Sequence, residues 1–341
     1  MTGRGISPRI DELHDSVKLF QGVYAACKLN LADLLTDGGK SLDYLAQKTE
    51  ANREFLGRLL QFLSVHDIFI EVDETSYAQS PVSEQLTKGH PSSIHSQFLF
   101  LGAESCWGPW GKLYDAVKNG KSGYYQYFEE EVFDHLNAHP LEQEAFCDAM
   151  PNQRESQSTS FAKTLVAKYD FSNIKSMVDV GGGLGGFLTA VMREVPHLEG
   201  TLFDLPHPIK IAQENKYQPD LDSRLSFEAG SFFDHVPAGR KLYFLSRIIH
   251  DWSDTDSIKI LKNCAKGMSS DSILLLAENL QELGHDPYRT MDLDMLVMST
   301  GGKERTEADF ISLLEKAGLQ HERSIFTDAF SVIEARRVVS T

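Results

Sequence analysis

Residues 176–186 have the sequence Ser-Met-Val-Asp-Val-Gly-Gly-Gly-Leu-Gly-Gly. The apolar run 176–180 predicts a buried strand, and the amphipathic stretch that begins at Gly186 predicts a helix. Glycines between a strand and a helix allow a ligand to lie directly against the backbone, because no side chain intervenes. This segment therefore predicts a parallel α/β sheet that binds a ligand at one of its turns.

The alternation of strand and helix patterns continues to the carboxyl end. Further short apolar runs are GTLFD, RLSFEAG, KLYFLS and SILLLAE, and the stretch DTDSIKILKNCAKG is amphipathic. Thr306 and Asp309 have the spacing of a helix capping box, and RSIFT and FSVIEARR then predict a closing antiparallel pair of strands. The pattern from about residue 170 onward predicts a doubly wound parallel sheet.

The amino-terminal part has a different pattern. Leu13, Val17, Phe20, Tyr24 and Cys27 recur every three or four residues, which predicts one apolar stripe on a packed helix. Residues 41–48 predict a second helix, Asn52 can cap a third that carries Phe55, Leu59 and Leu63, and residues 68–80 predict a hairpin. Helix, helix, hairpin is the order of a winged helix. Residues 92–165 predict further helices with many aromatic side chains, so we expect one domain over residues 1–160 and another over 161–341.

Charge and composition narrow the possible partners. The formal net charge is -16, which repels phosphate backbones and anionic lipid, so we expect no nucleic acid and no membrane as a partner. Four cysteines stand without a CxxC pair, no apolar run reaches the roughly 18 residues of a membrane helix, and the first residues lack a secretory signal pattern. These features predict a cytoplasmic protein.

The glycine segment is compatible with two nucleoside cofactors. Gly181, Gly183 and Gly186 fit the GxGxxG dinucleotide pattern, and Asp204, at the end of the next predicted strand, can accept hydrogen bonds from ribose hydroxyls. Asp179, however, would place a carboxylate beside a pyrophosphate. S-Adenosylmethionine carries a sulfonium and an ammonium instead, which an acid tolerates or favours. The residues favour S-adenosylmethionine and leave open an NAD-linked dehydrogenase or a glycine turn without a ligand.

Six ordered blocks resemble the S-adenosylmethionine-dependent O-methyltransferases of the caffeic acid and hydroxyindole (acetylserotonin) type. They are VDVGGGLGGF, TLFDLPHPI, EAGSFFDHVP, LSRIIHDWSD, LLLAE and GGKERTEADF. The resemblance implies a class I methyltransferase Rossmann-like sheet over residues 161–341, preceded by a mostly helical, winged-helix-like dimerisation and substrate-wall domain over residues 1–160. It also implies a homodimer that methylates a hydroxyl of a small aromatic or polyketide-like acceptor.

The resemblance also implies a set of cofactor-binding residues. Gly181 and Gly183 would lie along the methionine part, Asp204 would hold the ribose, and Gly230, Ser231 and Phe232 would flank the adenine. Ser231 stands where the family usually has an aspartate, so adenine binding is expected to differ. Leu205, Ser246 and Arg247 complete the set; Arg247 precedes the motif histidine by three residues, as in the hydroxyindole branch.

The catalytic residues implied by the resemblance begin with His250. A histidine has a pKa suited to removing the proton of an acceptor hydroxyl, and a carboxylate can fix its tautomer. The family's two carboxylates map onto Glu278 and Glu304; Glu278, which ends a predicted buried strand, is the stronger partner on physical grounds.

The acceptor wall implied by the resemblance consists of Met150, Trp252, Asp294, Met295 and Met298. Asp294 replaces an amide of the hydroxyindole enzymes, which predicts a different acceptor. No residue pattern demands a metal, and Asp251, Asp254 and Asp256 are interpreted as partners of a helix start. Two other functions stay open: a non-methylating reaction of the bound cofactor, and a non-catalytic regulator built on the winged helix.

Overall fold

The computed structural model describes residues 8–150, 155–214, 219–281, 289–327 and 330–338. The chain divides into two compact units, Met1–Trp107 and Gly108–Thr341. The predicted boundary lay near residue 160, whereas the structure groups residues 108–160 with the second unit. Among the described residues, no helix combines the length and the apolar character needed to cross a membrane.

The first unit is mainly helical and contains a small antiparallel sheet. Its helices are α1 (Pro8–Lys28), α2 (Leu31–Leu34), α3 (Leu42–Thr49), α4 (Arg53–Val65), α5 (Pro81–Glu84) and α6 (His95–Gly102). Its strands are β1 (Lys40–Ser41), β2 (Phe69–Asp73) and β3 (Ser76–Gln79), in the order β1-β3-β2. The winged-helix-like order is confirmed. Asn52 caps α4 as predicted, since its side chain accepts a hydrogen bond of 3.1 Å from the Phe55 amide.

Two predicted apolar stripes of this unit differ from the buried faces. In α1, Leu13 and Val17 are 50% and 56% exposed, because the helix packs on α4 and α6 only through its second half, around Gly22 and Tyr24. In α4, Phe55 is 65% exposed. The buried face of α4 is Leu56, Leu60 and Leu63, so its register differs from the prediction.

The second unit begins with short helices. These are α7 (Glu104–Trp110), which crosses the boundary, α8 (Leu113–Asn119), α9 (Gly123–Phe128), α10 (Val132–Ala138), α11 (Pro140–Ala149) and α12 (Glu155–Lys168). The prediction of a mostly helical segment over residues 92–165 is confirmed.

The remainder of the second unit is a doubly wound α/β sheet. Its strands are β4 (Ser176–Val180), β5 (Glu199–Asp204), β6 (Leu225–Ala229), β7 (Leu242–Ser246), β8 (Ile273–Glu278), β9 (Leu319–Phe326) and β10 (Ser331–Arg337). Its helices are α13 (Gly186–Glu194), α14 (Pro206–Glu214), α15 (Pro219–Asp222), α16 (Asp254–Gly267), α17 (Arg289–Met298) and α18 (Glu307–Lys316). Every residue of β7 and β8 is buried, as expected for strands covered on both faces. The capping box of Thr306 and Asp309 starts α18 as predicted.

The order of the strands determines where a ligand can bind. In the described residues the order is β6-β5-β4-β7-β8-β10-β9, with β4 to β8 parallel and β10 antiparallel to β8 and β9. The chain runs from β4 outward to β6 and then returns to the other side of β4 with β7. Open α/β sheets bind ligands at this reversal, outside the carboxyl ends of the strands. The turns after β4 and β7 are therefore neighbours at the expected binding position.

Candidate active site

The turn after β4 requires glycine for two reasons. Gly181 and Gly183 have φ angles of +74° and +58°, in the left-handed region that favours glycine. A Cβ atom on Gly181 would lie 2.6 Å from Ile248 Cδ1 and 3.5 Å from Phe232 Cε1. The backbone of the turn thus approaches both the segment after β7 and the segment after β6, and it forms a cradle that a side chain would fill.

Two acids lie under this turn: Asp179 is buried, and Asp204 is partly buried. Asp204 accepts hydrogen bonds from the Gly183 amide at 2.7 Å and the Leu205 amide at 2.6 Å. Burial, and then the charge of Asp204, raises the pKa of Asp179 to about 8, and burial also raises the pKa of Asp204. A nearby cation would stabilise the charged forms of these carboxyls, whereas a phosphate would disfavour their ionisation further. The donor set therefore fits a positively charged ligand better than a dinucleotide.

The segment after β6 lies beside the same turn. The Gly230 amide donates to the Asp204 carbonyl at 2.9 Å, and Phe232 contacts the position of Gly181. Ser231 Oγ accepts from the Phe233 amide at 3.2 Å and so closes its own turn. The structure brings together the glycine turn, Asp204 and Phe232, while the Ser231 side chain serves the local backbone.

The turn after β7 carries the predicted catalytic histidine. The strand ends at the buried Ser246, and Arg247 follows with a φ of 54°. Residues Ile249–Asp251 form a 3₁₀ turn in which His250 is only 4% exposed. A left-handed, non-glycine residue costs about 1–2 kcal/mol and persists only where its surroundings fix it. The Arg247 amide donates a hydrogen bond of 2.9 Å to the Ala277 carbonyl, which holds this conformation.

The two predicted carboxylate partners have different roles in the structure. His250 Nδ1 lies 3.0 Å from Glu304 Oε1, and the Glu304 side chain is fully buried. Glu278 Oε1 instead accepts from the backbone amides of Ile248 and Ile249, at 3.2 and 2.9 Å. Glu304 is therefore the hydrogen-bond partner of the imidazole, and Glu278 holds the backbone of its turn.

Charges around His250 determine its protonation. Burial, the largest single influence, lowers the pKa of His250, but the carboxylates of Asp251, Glu304 and Glu278 together raise it to about 8. Burial has the opposite effect on the carboxyl group of Glu278 and raises its pKa to about 7. The cluster consequently retains a proton near neutral pH.

Asp251 lies beside the imidazole, a position that the sequence pattern did not indicate. Its Oδ1 lies 3.5 Å from His250 Nε2, so it faces the imidazole rather than serving the helix start. Asp254 pairs with Arg305, and Asp256 accepts from Ser253 Oγ at 2.6 Å. The position of Asp251 directly after the candidate base was the one available signal.

The predicted acceptor-wall residues occupy several environments. The Trp252 ring stacks on Phe133 at 5.0 Å between centroids and meets Phe233 edge-on at 4.6 Å. Burial raises the pKa of the partly buried Asp294 to about 6, against the opposing charge of Arg247. Met295 is buried, Met298 packs on the cluster of Tyr124, Val132 and Leu136, and Met150 is partly buried after α11.

A group of possible metal ligands lies elsewhere in the second unit. Glu130, His135 and His139 each have a ligand atom within 4.8 Å of the others. His135 Nδ1 already bonds Glu130 at 2.7 Å, and His139 Nδ1 bonds the His135 carbonyl at 2.8 Å. These hydrogen bonds account for the close approach of the three side chains without a metal ion. The interpretation of the sequence that no metal is needed stays a prediction.

The fold and the two turns define a class of protein: an enzyme with a methyltransferase-like doubly wound sheet. One family model, described as an O-methyltransferase domain, matches residues 110–320, and another, described as an O-methyltransferase dimerisation domain, matches residues 12–89. The phenazine O-methyltransferase PhzM of Lysobacter antibioticus is 33% identical over 93% of this chain and 92% of its own.

Solved structures agree with this family. The human N-acetylserotonin methyltransferase in complex with S-adenosylmethionine is 25% identical, with a TM-score of 0.85 over 99% of this chain and 100% of that one. The O-methyltransferase NcsB1 from neocarzinostatin biosynthesis, solved with S-adenosylmethionine and 2-hydroxy-5-methyl naphthoic acid, is 29% identical, with a TM-score of 0.81 over 94% of this chain and 96% of that one.

The chain belongs to the O-methyltransferase family. Its methyl donor is S-adenosylmethionine, which favours the sulfonium interpretation of the glycine turn over the dinucleotide one.

Proposed function

We propose that the protein methylates a hydroxyl group of a small aromatic or polyketide-like acceptor, with His250 as the general base. The observation that carries this proposal is the buried hydrogen bond of 3.0 Å between His250 Nδ1 and Glu304, in the turn next to the glycine turn. A base in hydrogen-bond contact with an orienting carboxylate is the arrangement that proton removal requires.

The cofactor site is assigned to the residues around the glycine turn. Gly181 and Gly183 offer open backbone, Asp204 offers carboxylate oxygens, and Phe232 offers an aromatic face. Leu205, Gly230, Ser231, Ser246 and Arg247 complete the proposed set. S-Adenosylmethionine supplies a methyl group on a sulfonium, which is already electrophilic. The protein therefore has to align the acceptor oxygen with that methyl group and remove its proton.

The Glu304 contact prepares His250 for this proton transfer. When Nδ1 donates its proton to Glu304, Nε2 keeps a lone pair, on the side of the ring that Asp251 Oδ1 faces at 3.5 Å, and this lone pair can accept the proton of an acceptor hydroxyl. The carboxylates around the imidazole then stabilise the imidazolium that forms. The same charges raise the pKa of His250 to about 8, so the enzyme needs a mildly alkaline pH for the base to be fully unprotonated.

We propose that the acceptor is a flat, hydroxylated aromatic ring system. One relative is named a phenazine O-methyltransferase, and NcsB1 was solved with a naphthoic acid bound. In this chain the stacked rings of Trp252 and Phe133 can pack against such a ring. Asp294, together with Met150, Met295 and Met298, is proposed as part of the acceptor wall, where its carboxyl can bond a hydroxyl or amino group.

The proposal is tested with labelled S-adenosylmethionine and a panel of hydroxylated aromatic acceptors. Loss of the base should lower kcat by about 100- to 10,000-fold in His250→Ala, while cofactor affinity measured by calorimetry changes little. His197→Ala is the control, because that side chain is exposed and precedes β5, at the opposite edge of the sheet from the two turns. Full activity of His250→Ala would remove the proposed base, and cofactor turnover without a methylated product would support a non-methylating reaction.

A homodimer is the second part of the proposal. The dimerisation-domain match over residues 12–89 supports it, and so does the exposed stripe of Ile10, Leu13 and Val17, which are 55%, 50% and 56% exposed on α1. Exposed apolar stripes of this kind mark protein contacts. Light scattering should show a dimer that Val17→Asp weakens and the surface change Lys18→Asp does not; a monomeric wild-type protein would contradict the proposal.

A further inference from the structure

The four carbonyl groups around His250 are all bound by one segment of the chain. Arg305 Nη1 donates to the Ile249 carbonyl at 2.8 Å, and Arg305 Nη2 donates to the Trp252 carbonyl at 2.7 Å. Between them, the Lys303 amide donates to the His250 carbonyl at 2.8 Å, and Ser299 Oγ donates to the Asp251 carbonyl. The carbonyl groups of residues 249–252 are thus held by the segment 299–305.

Arg305 makes the outer contacts of this set and is itself deeply buried. It is 1% exposed, and its guanidinium also donates from Nε and Nη2 to Asp254 Oδ1, at 3.1 and 2.8 Å. Nη1 additionally lies 3.4 Å from the Lys303 carbonyl. All three nitrogens therefore have partners, which offsets the cost of burying the charge.

The neighbouring residue makes the catalytic contact. Glu304, directly before Arg305, bonds the imidazole of His250, and its amide donates to Asp292 Oδ1 at 2.9 Å. One dipeptide consequently holds the imidazole through Glu304 and the backbone on both sides of the imidazole through Arg305.

We propose that Arg305 is a positioning residue for methyl transfer: it fixes the turn that carries His250 so that the imidazole stays in contact with Glu304. The proposal rests on the proposed role of His250 as the base. Arg305 touches neither the cofactor turn nor the acceptor wall side chains in the contacts described, so it acts through the backbone of the turn that carries His250 and Trp252.

The geometry needs an arginine rather than any cation. The planar guanidinium reaches the Ile249 carbonyl, the Trp252 carbonyl and Asp254 in fixed directions, and a lysine ammonium cannot reproduce that fork. Arg305→Lys therefore keeps the buried charge and loses the geometry. A displacement of about 1 Å at a catalytic group can lower the rate by on the order of 100-fold, and we expect a loss of that size in kcat.

The experiment compares Arg305→Lys with Lys303→Met. Lys303 Nζ also pairs with Asp254, at 3.2 Å, but its side chain makes no contact with the His250 turn. In Arg305→Lys we expect calorimetric affinity for S-adenosylmethionine close to wild type and a kcat lower by about 100-fold. The acidic side of the pH–rate profile should shift to lower pH, because His250 loses its contact with Glu304. Lys303→Met should match the wild type in all of these.

Two further measurements separate positioning from folding. In the background Glu304→Gln, the change Arg305→Lys should cost far less than it does alone, because both act on the same contact. Asp254→Asn, a change at a side chain that is 54% exposed, should lower kcat by about tenfold while the protein stays folded; it replaces Arg305→Lys if that variant does not fold.

An NMR titration of the His250 imidazole tests the inference without depending on activity. Its pKa should fall in Arg305→Lys and stay unchanged in Lys303→Met. An unchanged imidazole pKa in Arg305→Lys, or an unchanged kcat and pH profile with only a lower Tm, would overturn the proposal. Failure of the proposed function would appear differently, as an active His250→Ala.

Discussion

Replacing Glu304 by glutamine removes one charge from the imidazole contact and keeps the shape of the side chain. The hydrogen bond is 3.0 Å long and buried, so water and salt screen the charge of Glu304 only weakly. Hydrogen bonds to charged groups contribute about 1.5–3 kcal/mol, and each ~1.4 kcal/mol is tenfold in rate. We therefore expect kcat to fall by about 10- to 100-fold at alkaline pH, where His250 is unprotonated.

The pH dependence of this variant has a definite sign. Glu304 is one of the groups that raise the pKa of His250 to about 8, so its neutralisation lowers that pKa. More of the imidazole is then unprotonated at neutral pH, and the loss in Glu304→Gln should be smaller there than at alkaline pH.

The assay is the initial rate of transfer from labelled S-adenosylmethionine between about pH 6 and pH 9. Glu315→Gln is the matched control, because it makes the same chemical change at an exposed position of α18. A rate for Glu304→Gln within about twofold of wild type across that range would show that the contact contributes little to catalysis and would refute the reasoning.

The remaining predictions concern the glycine turn and the buried acids. Gly181→Ala should weaken S-adenosylmethionine binding by at least about tenfold, because a left-handed backbone strains alanine and its Cβ would lie 2.6 Å from Ile248; Gly239→Ala, with the same φ of +74° and open space around it, is the calorimetric control. Asp179→Asn should raise the Tm more at pH ~8.5 than at pH ~5. The sign follows because the folded pKa of Asp179, about 8, lies above the unfolded value of 3.8, so the cost of burial grows as pH rises between them; an equal Tm change at both pH values would contradict this burial. In the wild type, kcat/KM should rise with pH and level off above about 8, as the raised pKa of His250 requires, and a flat profile would exclude that group.

The sheet and the glycine turn could be predicted because their signals are local. Buried parallel strands such as β7 and β8 are uninterrupted apolar runs, and glycines with positive φ, such as Gly181 and Gly183, mark the turn directly. The capping residues Asn52 and Thr306 were predictable for the same reason, since each acts within its own helix turn.

The parts that could not be predicted depend on contacts distant in sequence. Glu304 reaches His250 across 54 positions from an irregular segment without periodicity, whereas Glu278 ended a recognisable strand and looked like the stronger partner. Periodicity also shows that a helix has an apolar face and does not show what covers it. Leu13 and Val17 were expected to be buried, and among the described residues they are about half exposed.

The most direct test of the account is a crystal structure with S-adenosylhomocysteine and an acceptor identified in the activity panel. We expect the acceptor hydroxyl within about 3.2 Å of His250 Nε2, with Nδ1 still bonded to Glu304. A hydroxyl held by another side chain, with the His250 imidazole turned away from it, would contradict the account.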